Sequence, residues 1–121
     1  MIDNKSMDGN RMPEELDLLQ FFEVEPSLYS PSDRLWKIDY ASASGDVEIS
    51  HSAVEKSFQV VLKPKSGGNI LYSFEGLESI TFVYGDARRD VIATGSLGGA
   101  SIQLHIKLLP EVEIVSGVLE K

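Results

Sequence analysis

Between Leu18 and Phe22 apolar side chains return at a spacing of three and four; from Leu35 onward they return every second position. The first pattern predicts one short amphipathic helix over about residues 13–25. Pro13 suits a first turn, Glu14, Glu15 and Asp17 complement the positive end of the helix dipole, and Leu18, Phe21 and Phe22 form the apolar stripe. Pro26 disfavours helical geometry at Glu25 and stops the element. The next segment, Pro26 to Asp33, holds two prolines and three serines and reads as a loop. The second pattern predicts strands. Trp36, Ile38 and Tyr40 share one face, Phe58, Val60 and Leu62 another, and Ile70, Tyr72 and Phe74 a third, followed by Ile80, Phe82 and Tyr84. Ile102, Leu104, Ile106 and Leu108 give the cleanest alternation, and a last strand runs over about 112–119. Turn signals lie at Gly45-Asp46, Lys65–Asn69, Gly85–Asp90 and Gly95–Gly99.

The expected fold is therefore mainly β: an antiparallel meander of six to eight strands, built as a sandwich, a barrel or a curved sheet, with one N-terminal amphipathic α-helix. Residues 1–12 are polar and aperiodic and read as a disordered tail, leaving 13–121 as a single β-rich domain with strands from about 35 onward. A chain of 121 residues with 42% apolar content can fill one core without staples.

Charge changes the picture more than composition does. Residues 1–33 carry eight acids (Asp3, Asp8, Glu14, Glu15, Asp17, Glu23, Glu25, Asp33) against two bases, and the rest of the chain eleven against nine, so the net −8 divides into −6 and −2. Charge gathered in one segment is a recognition feature, and its sign argues for a basic protein partner and against nucleic acid or an anionic membrane. No apolar run approaches the roughly 20 residues of a membrane helix. The start, Met-Ile-Asp-Asn-Lys-Ser, has no secretory pattern, so a cytoplasmic compartment is expected.

Candidate chemistry is sparse. With no cysteine there is no disulfide, thiolate site or Cys nucleophile. His51 and His105 read as outward or edge residues on separate strands, without the tight spacing of metal ligands or a triad partner. The glycines of Gly95–Gly99 lack the Lys-Ser/Thr of a phosphate loop. Asp86 and Asp90 flank two arginines, which a calcium loop would not tolerate, and read as turn residues. Glu111 and Glu113 share a strand face but nothing marks a cleft around them. No catalytic residue, metal or cofactor is expected, and the chain reads as a non-enzyme. The candidate partner-binding residues are Glu14, Glu15, Asp17, Glu23, Glu25, Tyr29 and Asp33, with Tyr29 or Trp36 as an aromatic anchor. The alternative is a structural or ligand-holding β-domain that self-associates as a homo-oligomer.

The run Leu18-Leu-Gln-Phe-Phe-Glu-Val-Glu-Pro26, followed by a Pro/Ser loop, a Trp-bearing strand and a β-meander, resembles small bacterial proteins that include immunity proteins of polymorphic and contact-dependent toxin systems. The likeness covers roughly residues 14–110 and holds no catalytic signature. It implies a cytoplasmic β-rich inhibitor that binds one cognate toxin domain and has no activity of its own. Toxins of that kind are often basic nucleases, which an acidic partner would suit. The resemblance carries over no contact residue; the acidic set above rests on charge alone.

Overall fold

The computed structural model describes residues 5–6, 15–23, 26–30, 32, 34–43, 45–109 and 112–120. In chain order these form β1 (Lys5–Ser6), α1 (Glu15–Phe22), β2 (Ser27–Ser30), β3 (Leu35–Ser42), β4 (Gly45–Ser52), β5 (Ser57–Pro64), β6 (Ile70–Glu75), β7 (Leu77–Gly85), β8 (Arg88–Leu97), β9 (Ala100–Leu109) and β10 (Glu113–Glu120). The chain has the expected class, mainly antiparallel β with one N-terminal helix. Its contacts divide into two compact units, residues 13–75 and residues 76–121 with 1–12.

The first unit carries α1 and an antiparallel sheet in the order β2-β3-β4-β5-β6. Hairpin connectivity fixes the order, and parity fixes the faces. Trp36, His51, Phe58 and Phe74 form one cross-strand row, and Ile38, Ile49, Val60 and Tyr72 the next. Ile38, Val47, Ile49, Phe58 and Val60 on this face are buried, while Asp39, Asp46, Gln59 and Lys63 on the other are exposed. The second unit is a sheet in the order β1-β7-β8-β9-β10. Its buried face holds Ile80, Phe82, Val91, Ala93, Leu104, Ile106 and Leu108. Among the described residues neither sheet closes on itself, so two open sheets stand in place of a single closed barrel.

Ten strands replace the expected six to eight. Lys5–Ser6, in the segment read as a tail, pair with Tyr84 and Val83; the other residues of 1–12 lie outside the described ones. Ser27–Ser30, read as loop, pair with Leu35–Lys37 as an edge strand. Pro26 precedes this strand, where a missing amide hydrogen interrupts no ladder. Strand β8 also runs further than its turn-rich ends suggest, from Arg88 to Leu97, because two-residue turns suffice at Asp86–Ala87 and Gly98–Gly99. Gly98 and Gly99 both take positive φ, as a tight hairpin of this hand requires. Helix α1 is shorter than expected. Glu23 adopts φ 59° and its N–H donates to the Leu19 carbonyl at 2.9 Å, a left-handed cap that ends the helix before Pro26 can. No helix among the described residues is long and apolar enough to cross a membrane.

Candidate functional site

Helix α1 presents two chemically different faces. Leu18, Phe21 and Phe22 are buried; Phe21 meets Phe22 edge-on at 4.8 Å between ring centroids, and Phe22 meets Tyr40 of β3 at 6.2 Å. These rings anchor the helix within its unit. The opposite face exposes Glu15, Leu19, Gln20 and Glu23. Glu15 and Leu19 lie one helical turn apart on this face, and Glu23 follows at the left-handed cap just past the helix end. An apolar residue, Leu19 at 43% exposure, thus shares this exposed face with the Glu15 carboxylate.

Of the partner-binding candidates, Glu15 and Glu23 fall on this exposed face and Asp17 is half-buried on the same helix. Glu14, Glu25 and Asp33 lie outside the described residues, as does the side chain of Tyr29, whose backbone belongs to β2. Trp36 is half-buried in the row with His51, Phe58 and Phe74. Leu28, opposite Trp36 on the edge strand β2, is a second exposed apolar side chain of this unit.

Neither histidine behaves as an ordinary surface residue. His51, read as outward or edge, shares the parity of Val47 and Ile49 and is only 3% exposed. Neither ring nitrogen has a hydrogen-bond partner among the described residues, and burial pushes its pKa down to about 4 from 6.5. The ring is a neutral member of the apolar row. His105 lies on the outer face of the second sheet, where its Nε2 is 2.8 Å from Oδ2 of Asp90. Arg88 Nε donates to the same oxygen at 2.9 Å. Asp90, read as a turn residue, is instead a strand residue 1% exposed. The alternation of Val91 and Ala93 with Asp90 and Ile92 was the signal for this placement, since it sends Asp90 to the face of His105.

Beside His105 an open groove of about 510 Å³ runs over β8, β9 and β10, walled by Glu78, Thr94, Gln103 and Val115 and floored at Gly95 and Gly117, which have no side chains. The first sheet has its own polar surface, where Lys63 at 3.1 Å and Lys37 at 3.3 Å bracket Glu48. Burial would raise the Glu48 carboxyl, but the bonds and charges of Lys63 and Lys37 hold it below its ordinary value. Among the described residues no three metal-ligating side chains come together. What the molecule offers is surface: a helix face with carboxylates beside an exposed leucine, and an open groove of mixed polar and apolar lining.

No protein-family model matches the chain, and no curated protein matches it. Among solved structures it is similar to a chain of the contact-dependent growth inhibition toxin–immunity protein complex from Klebsiella pneumoniae 342. The two share 22% sequence identity and superpose with a TM-score of 0.78 over 93% of this chain and 100% of that one. A likeness at this identity establishes a shared fold.

Proposed function

We propose that the chain is an immunity protein: a non-catalytic inhibitor that binds one toxin domain stoichiometrically in the cytoplasm and neutralises it. The observation that carries this reading is the shared fold, which extends over the whole of a chain from a contact-dependent growth inhibition toxin–immunity protein complex. The charge distribution supports the same reading, because an inhibitor of a basic nuclease gains both speed and selectivity from an acidic docking surface.

In this account α1 and the segment after it, with its edge strand β2, meet the basic rim of a nuclease-type toxin and block access of its substrate. Glu14, Glu15, Asp17, Glu23, Glu25 and Asp33 steer the encounter. Leu19 and Tyr29 supply apolar contact at the centre, where water is excluded and binding energy concentrates. The chain performs no chemistry on its partner.

The test is growth protection. Bacteria expressing the cognate toxin domain should stop growing, and co-expression of the chain should restore growth. No protection would overturn the immunity reading. The docking face is tested separately with Glu14→Lys, Glu15→Lys and Glu23→Lys combined. The association rate should fall about tenfold or more at low salt, and the difference should shrink as salt rises. An unchanged association rate would remove this face from the interface.

A further inference from the structure

We infer that the groove over β8, β9 and β10 is a second docking site for the toxin domain, and that it receives an arginine side chain. The inference rests on the immunity reading and extends it to a surface the acidic helix does not supply. A stable protein–protein interface takes roughly 20 to 30 residues from each partner. The exposed face at α1 holds four, Glu15, Leu19, Gln20 and Glu23. An interface of that size therefore reaches beyond the helix.

Strand pairing builds the groove. Thr94, Gln103 and Gly117 form one cross-strand row of the outer face, and Ile92, His105 and Val115 the next. Gly117 has no side chain to fill its place, which leaves a hollow of about 510 Å³. On one side of the glycine row stands His105, held at 2.8 Å by Asp90, a carboxylate only 1% exposed. On the other side Ser96 pairs with Ser101, and the Ser96 hydroxyl donates to the Glu78 carboxylate at 2.9 Å. A buried acid thus fixes one flank and a hydroxyl steadies the other.

Charge selects the occupant. The described bases of this face are matched by acids: Arg88 Nε lies 2.9 Å from Asp90, and Lys107 lies 3.9 Å from Glu113. Glu78 has the Ser96 hydroxyl and, among the described residues, no base. It is the unbalanced charge of the groove, and its sign calls for a cation. Ile102 and Val115 offer apolar surface to an aliphatic stem. Gln103 and Ser101 offer neutral acceptors, and with Nε2 engaged by Asp90 the neutral His105 ring keeps Nδ1 as another. A guanidinium spreads its charge over a planar fork of N–H donors, whereas an ammonium is a compact point charge. One carboxylate among several neutral acceptors suits the fork, so the occupant is arginine.

Calorimetric titration of the full chain with its cognate toxin domain tests this. Gly117→Leu fills the groove where an added Cβ meets nothing within 4 Å. It should raise the dissociation constant about tenfold or more and leave the melting temperature in place. Glu78→Gln should raise that constant about fivefold and Glu78→Arg about a hundredfold, and one Arg→Glu substitution in the toxin should recover at least about tenfold of the second loss. Glu75→Gln, which removes the same charge from the first sheet, should change it by less than about twofold. Binding left intact by Gly117→Leu and Glu78→Gln would overturn the inference while the immunity reading stands. An equal loss from Glu75→Gln would overturn it too, as an effect of overall charge. So would a Glu78→Arg defect that no toxin arginine repairs. A wild-type chain that binds no toxin would overturn the immunity reading and this inference with it.

Discussion

Asp90 and His105 meet across the β8–β9 ladder, with His105 Nε2 at 2.8 Å from an Asp90 carboxylate oxygen that also accepts from Arg88 Nε at 2.9 Å. The carboxylate is buried, whereas Arg88 is exposed and His105 half-buried. Removing the acid therefore frees two groups that water can recover, while removing the bases strands a buried charge. Asp90→Ala should lower unfolding free energy by about 2 kcal/mol, and Arg88→Ala combined with His105→Ala by about 3 kcal/mol or more. Urea denaturation of the two variants checks both size and order. A double loss smaller than the single one would show that the bases do not support the buried carboxylate.

His51 makes the fold acid-sensitive. Its folded pKa is about 4 and its ordinary value 6.5, so the unfolded chain binds the proton more readily. The neutral ring is fully tolerated above pH 6.5. Stability from this group is lost as pH falls from about 6.5 to about 4, by on the order of 3 kcal/mol in all. His51→Leu should flatten that part of the stability–pH curve and hold or raise stability at pH 7, since no partnered polar group is lost. An unaltered curve would place the acid sensitivity elsewhere.

Gly76 joins β6 to β7 at φ 85°, and its carbonyl accepts from Ser96 N–H at 3.1 Å. A Cβ there would run into the Ser96 carbonyl oxygen, which is backbone and cannot step aside. Gly76→Ala should cost about 2 kcal/mol or more, from strained φ and the clash together. Gly117, without positive φ and with open space around it, is the control: Gly117→Ala should change stability by less than about 0.5 kcal/mol. Melting temperatures of the two variants decide the point.

Most of the fold was legible because parity and turns carry so much information. The alternation of Ile102 to Leu108 fixed the buried face of β9, and the paired glycines at 98–99 are enough to set its register on β8. The same parity, carried through Val47 and Ile49, places His51 inside; reading histidine as a surface residue overrode it. Asp90 was missed for a related reason. An aspartate beside Gly85-Asp86 looks like turn chemistry, and only Val91 and Ala93 show that the strand has already begun. β2 was hidden by its flanking prolines, which mark a loop in general but are tolerated at the limits of an edge strand. For the candidate site, the acidic helix face was legible from charge. The exposed, apolar Leu19 on that face was not, because sequence cannot say which of two neighbouring leucines, Leu18 or Leu19, the fold buries.

The most direct test of the account is calorimetric titration of the purified chain with its cognate toxin domain. The account predicts saturation at one chain per toxin, a nanomolar dissociation constant, and loss of toxin activity at the same equivalence point. No binding heat, or binding that leaves the toxin fully active, would contradict it.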